Sequence, residues 1–161
     1  MLIVFKTDNY GFHVKFNENF AAQEMVRRLP LSGVVSKWGD EIYFETDASI
    51  PLDGQTMDVN LGDVAYWPQG KCVCVFYGRT PASTTDKPVP ASPVVVIGHT
   101  MADNEELREI KAGERIQVFV MGIALGDLKD ETVYDDSRKL SQQEIDILVK
   151  RLLAEKQSRA N

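Results

Sequence analysis

Cysteine is scarce in this 161-residue chain, which holds two, Cys72 and Cys74. They fall two apart in "KCVCVF", a spacing that on a strand turns both sulfurs to one face, side by side. A disulfide between them is excluded by that geometry, and a cysteine zinc site by the lack of a second pair. Both are expected to be reduced core residues. Clustered positive charge is also missing. Lys and Arg total 18 against 24 Asp and Glu, a formal net charge of −6; no six-residue window is a basic patch, and Arg27-Arg28 lies in an amphipathic stretch. A nucleic-acid surface needs grouped cations to displace counterions, so nucleic acid is not an expected partner. No apolar run approaches the ~20 residues of a membrane-spanning helix, so no membrane partner is expected. "MLIVFKTDNYGF" places an apolar run before the first Lys, the reverse of a secretion leader, and the expected location is cytoplasmic. G-x-G-x-x-G, P-loop and G-x-S-x-G patterns are all lacking, which removes the commonest phosphate-binding and hydrolytic signatures.

What is present is a succession of short strands. "LIVFK" and "GFHVKF" flank the turn-rich "TDNYG" and predict a hairpin. In the second strand Phe12, Val14 and Phe16 share one face, leaving His13 toward solvent. "NENFAAQEMVRRLP" predicts a helix, with Asn17 or Asn19 as cap and Pro30 as its stop. Strands are then expected in "GVVSKWG", "EIYFET", "SIPLDGQTMDV", "DVAYW", "KCVCVFYG", "SPVVVIGHT" and "ERIQVFVMG". A second short helix, capped by Asp103 or Asn104 and ended by Gly113, is expected between the last two.

Several strands are apolar on both faces. In "CVCVFY", residues 72, 74 and 76 line one side and 73, 75 and 77 the other; "VVVI" at 94–97 is alike. One face must turn into a closed interior and the other must be covered, which favours a mainly β, closed barrel over a two-layer sandwich. Segment 79–93 carries four of the seven prolines and predicts a long stiffened loop between core strands. A C-terminal extension, 126–161, is expected beyond a barrel domain of 1–125. In it "LSQQEIDILVKRLLAEKQ" predicts an amphipathic helix over about 141–157. Ser141 and Glu144 form its capping box and Leu140 with Ile145 its staple. Ile145, Leu148, Val149 and Leu152 make a stripe that must cover the barrel or a second subunit, so a homo-oligomer through this helix is an open reading.

Three blocks carry a resemblance: "WGDEIYF", "GDVAYWPQGKCVCVFYGRTPAS" and "PASPVVVIGHT". Over residues 1–122 the chain resembles the small cyclophilin-like proteins of bacteria and archaea whose function is unassigned. More faintly, "CVFYG" and "VVVIGHTMADNEELREIKAGERIQV" are similar to the aromatic strand and the closing strand, helix and strand of the cyclophilin prolyl isomerases. The resemblance implies a barrel of about eight strands with two short capping helices. It does not carry the isomerase activity. Cyclophilins use an Arg in a block ending F-x-M-x-Q-G-G, before the aromatic strand, to lower a barrier of about 18–20 kcal/mol. That block has no counterpart, and no Arg occurs between Arg28 and Arg79.

The remaining chemistry is aromatic and polar. Glu41, Tyr43, Tyr66, Trp67, Phe76, Tyr77, Arg79 and Ser92 are the candidate ligand-binding residues, beside the proline-rich loop. Aromatic walls with a few polar groups suit a small molecule or short peptide, with Arg79 as a cation for a ligand carboxylate. His99 is expected to share a strand face with Val95, Ile97 and Met101 as a packed neighbour. No catalytic residue, metal or cofactor is assigned. The alternatives are an enzyme of unassigned reaction, a weak prolyl isomerase, or a scaffold that oligomerises.

Overall fold

The computed structural model describes residues 1–50 and 54–121. The expected boundary at 125/126 and the helix over 141–157 lie outside the described residues.

The chain begins with the antiparallel hairpin β1 (Leu2–Thr7) and β2 (Gly11–Phe16), in which Val4 faces His13 and Phe5 faces Phe12. Phe12, Val14 and Phe16 are buried together, as their alternation requires. Helix α1 (Phe20–Arg27) follows, and the Asn19 side chain accepts from the backbone N–H of Ala22, which caps it. The short strands β3 (Leu31–Val34) and β4 (Ser36–Lys37) come next, then β5 (Glu41–Glu45), β6 (Asp63–Trp67), β7 (Cys72–Phe76) and β8 (Val95–Thr100). Helix α2 (Asn104–Arg108) and β9 (Arg115–Val120) complete the described elements.

All nine strands join one sheet in the order β3-β9-β1-β2-β8-β6-β7-β5-β4. Its two ends are the same stretch of chain. β3 and β4 are separated only by Val35; the first pairs with β9 and the second with β5. Val35 holds the junction, donating its N–H to Glu114 O at 2.9 Å and accepting from Gly113 N at 2.8 Å. One bent segment, 31–37, therefore closes the sheet on itself, and counting it once gives eight staves, the number the resemblance implies. The sandwich alternative fails because a sandwich leaves sheet edges that this closure removes.

The two-faced apolar strands follow from the closure. Val73, Val75 and Tyr77 point into the barrel, where residues from β1, β2, β5, β6, β8 and β9 meet them along with Met25 of α1 and Leu107 of α2. Cys72, Cys74 and Phe76 point outward into a separate cluster with Val59, Ala65 and Val94.

Three expectations are corrected. The described residues of "SIPLDGQTMDV" form no strand; of them only Thr56 bridges, to Val94. The segment's side chains do not alternate, and Thr56 Oγ1 accepts from Asp58 N in a local turn that competes with extension. Helix α2 ends at Arg108, well before Gly113, which has φ of 95° and turns the chain into β9. His99 does not share a face with Val95 and Ile97. Ala65 pairs with Val96 but Val64 with Gly98, so Ile97 is an extra residue in a bulge that reverses the alternation after it. His99 thus faces outward, with Nδ1 3.2 Å from Asp63 Oδ1, while Ile97 and Val95 both stay inside.

Candidate functional site

On the outer face of β5, β6 and β7 lies a cavity of about 170 Å³. Strand register builds its floor: Glu41 stands opposite Phe76, and Tyr43 opposite Cys74, on the one face that also carries Trp67 of β6. Trp38, in the turn before β5, forms one wall. Pro90 and Ala91, from the proline-rich segment, and Val94, just before β8, cover the other side.

The aromatic groups are held in place. Trp67 Nε1–H donates to Ser92 Oγ, which in turn donates to Gln69 Oε1 at 3.2 Å. The indole also lies over Gly70, where a Cβ would sit 2.6 Å from its ring, so only glycine allows this packing. The Tyr43 and Trp67 rings meet edge to face, with centroids 6.5 Å apart and planes at 87°. Trp38 and Glu41 are linked through a tight turn in which Trp38 N donates to Glu41 O at 3.0 Å. Gly39 in this turn has φ of 60°, and a Cβ there would lie 2.8 Å from Arg79 O. Asp40 then bonds the chain after β7 in both directions, donating to Arg79 O at 2.8 Å and accepting from Tyr77 N at 2.9 Å.

The roof is a folded loop. Thr80 Oγ1 donates to Val89 O across the segment, and Ser83 Oγ accepts from Thr80 N at 2.9 Å. Thr56 and Val94 exchange backbone bonds of 2.8 and 3.0 Å, and Lys87 pairs with Asp58, which ties the roof to the chain before β6.

One ionisable acid lines the cavity. Glu41 is 6% exposed, and burial pushes its carboxyl up from 4.5 to about 7, partly offset by a hydrogen bond from the Cys74 thiol. Cys74 itself is driven well up by burial and then by Glu41, so it is a protonated, unreactive thiol. Cys72 is raised to about 11, chiefly by burial, with Glu45 and Glu41 adding to it.

Of the eight candidate residues, Glu41, Tyr43, Trp67 and Phe76 line the cavity together, and Ser92 sits behind Trp67 as its hydrogen-bond acceptor. Tyr66 does not join them. It faces the barrel interior, 1% exposed, with its hydroxyl donating to Ala48 O at 2.6 Å. Tyr77 is interior too; its ring lies 5.6 Å from Lys37 Nζ and 5.9 Å from the Arg108 guanidinium, and its hydroxyl has no hydrogen-bond partner among the described residues. Arg79 is exposed and turned to Ser83 O at 3.4 Å and Asp86 at 3.9 Å. Trp38, Cys74, Pro90, Ala91 and Val94 belong to the lining without having been singled out. For Cys74 the signal was available, since it has the strand parity of Phe76. For Pro90 and Ala91 no local pattern says which way an aperiodic loop folds.

The family model for cyclophilin-like proteins matches residues 1–119. The chain belongs to the cyclophilin-like family. Among solved structures, the hypothetical protein AF2241 from Archaeoglobus fulgidus is 33% identical, over 74% of this chain and 93% of that one, with a TM-score of 0.63. McbB, solved in complex with tryptophan, is 16% identical over 76% of this chain and 45% of its own, with a TM-score of 0.55, a likeness of fold alone. No curated protein matches the chain. The three blocks that carried the cyclophilin-like resemblance converge on the cavity: "WGDEIYF" supplies Trp38, Glu41 and Tyr43, the next block Trp67, Cys74 and Phe76, and "PAS" Pro90, Ala91 and Ser92. No helix among the described residues is long and apolar enough to cross a membrane.

Proposed function

We propose that this cyclophilin-like protein binds a small molecule, or one side chain of a short peptide, in the cavity beneath the proline-rich roof, without cyclophilin-type isomerase chemistry. The observation that carries the reading is the convergence of three separate sequence blocks on one enclosure that buries a carboxyl among aromatic rings. A buried acid costs stability, and a barrel needs none on a covered face, so ligand recognition is the use that accounts for it. At about 170 Å³ the cavity is smaller than the ~300–1,000 Å³ of drug-sized sites and suits a fragment or a head group.

Arg79 does not serve as the ligand's cation in this reading, because it faces Ser83 and Asp86; the charge offered is that of Glu41. The same fact argues against isomerase chemistry, which needs a guanidinium donating toward the prolyl amide. A fragment screen followed by melting temperature tests the proposal. A ligand at 100 times its Kd adds about 2.7 kcal/mol, a readily measured upward shift. The shift should vanish in Ala91→Trp, which fills the cavity from an exposed position while leaving the fold intact. Hits that stabilise the variant equally, or no hits at all, refute the cavity as the site. A protease-coupled prolyl-peptide assay should show no acceleration.

A further inference from the structure

We propose that the cavity is an aromatic cage for a methylated ammonium group, with Glu41 as its counter-ion. This names the ligand class for the site and rests on the reading that the cavity binds a small ligand.

Ring faces carry partial negative charge and attract cations, more strongly where water is excluded. Trp38, Tyr43, Trp67 and Phe76 all border the space, and two of them stand at right angles, forming a corner of the enclosure. The one charged side chain of the lining is Glu41, and neither Lys nor Arg borders the cavity among the described residues. An anionic ligand would therefore meet a like charge with nothing to neutralise it. A cation meets a carboxylate and aromatic rings.

Methylation of that cation follows from the shortage of acceptors. A primary ammonium brings three N–H donors that must all be satisfied once water is removed. Among the lining side chains the oxygen acceptors are the Glu41 carboxyl, which already accepts from the Cys74 thiol, and the Tyr43 hydroxyl, while the Trp38 and Trp67 Nε1–H groups are donors. A trimethylammonium has no N–H to satisfy and spreads its charge over methyl groups that pack on rings. The volume suits such a head group and leaves the rest of the ligand outside, past the roof. The head group has two sources, a free small cation of the choline type or a trimethylated lysine in a peptide.

Titration of the full-length protein, followed by Trp fluorescence and calorimetry, separates these outcomes. The probes are tetramethylammonium, choline, its neutral carbon isostere 3,3-dimethylbutan-1-ol, and a short peptide carrying either trimethyl-lysine or unmodified lysine. Choline should bind at least about tenfold more tightly than the isostere, or the trimethylated peptide at least about tenfold more tightly than the unmodified one; which pair discriminates identifies the source. Glu41→Gln, nearly isosteric and expected to fold, should shrink that preference to the part the rings supply, and Ala91→Trp should abolish all binding. Equal affinity for choline and isostere, together with equal affinity for the two peptides, overturns the cage and leaves the small-ligand reading standing. So does the failure of every methylated cation to bind at millimolar concentration while a fragment from the screen still does. Failure of both cations and fragments overturns the two readings together.

Discussion

Glu41 and Glu45 sit four apart on one strand, yet one is buried and the other exposed. The difference comes from what lies above them, because the proline-rich roof covers the Glu41 end and not the Glu45 end. Burial gives Glu41 a measurable signature. Its folded pKa, about 7, exceeds its value of 4.5 in the unfolded chain. The native state therefore holds the proton more tightly, and this contribution is fully present below pH 4.5 and is lost as pH rises through 7. The titratable groups coupled to it are the Cys74 and Cys72 thiols of β7 and, more distantly, Tyr77, all pushed up by burial and so uncharged in that range. Glu41→Gln should gain stability over the wild type at pH 8, by on the order of 3 kcal/mol at most, and gain little at pH 4.5. Denaturant melts at several pH values read this directly. A gain independent of pH would show that burial of the charge is not its source. The methylated-ammonium reading adds a trend of opposite sense, since cation affinity should rise with pH as Glu41 ionises.

At the scale of elements, hairpin β6–β7 and the roof act as a unit. Trp67 is pinned by Gly70 below and Ser92 above, so the turn and the loop each depend on the other's geometry. The roof's own staple is the Thr80 hydroxyl, which is buried and reaches Val89 O. Thr80→Val keeps the shape but strands that carbonyl and Ala82 N, an expected cost of about 1–3 kcal/mol. Acrylamide should then quench Trp67 and Trp38 more strongly, because the loosened roof admits it. Unchanged quenching would mean that other contacts hold the roof.

The alternation of "CVCVFY" is legible in the sequence, and so is the expectation of two buried faces. Which parity faces inward is not. Tyr66 and Trp67 were therefore both candidates for the site, although neighbours on a strand point to opposite sides and one had to be excluded. The bulge at Ile97 was equally hidden. No residue in "VVVIGHT" announces it; it arises because β8 pairs with β2 on one side and β6 on the other and must match both registers.

For the whole molecule, closure hangs on the segment around Val35. Its N–H and C=O both bond the chain between α2 and β9, so the barrel cannot open at this seam without losing the two bonds together. The amides of Val35 and Gly113 should accordingly exchange with solvent as slowly as those of the central strands β1 and β7. Hydrogen exchange followed by NMR checks this. Fast exchange at both positions, with the centre protected, would show a sheet that opens at the 31–37 stave.

Sequence alone determined the barrel class, the strands that run through it, and the family blocks, because alternation and turn chemistry are local properties read over a few residues. It also determined that no Arg lies between Arg28 and Arg79. Only the tertiary structure decided which aromatics share a cavity, that its charge is Glu41 rather than Arg79, and that an aperiodic loop roofs it. Those outcomes depend on register, on a bulge and on how 79–93 folds back, and each is set by contacts between residues far apart in the chain.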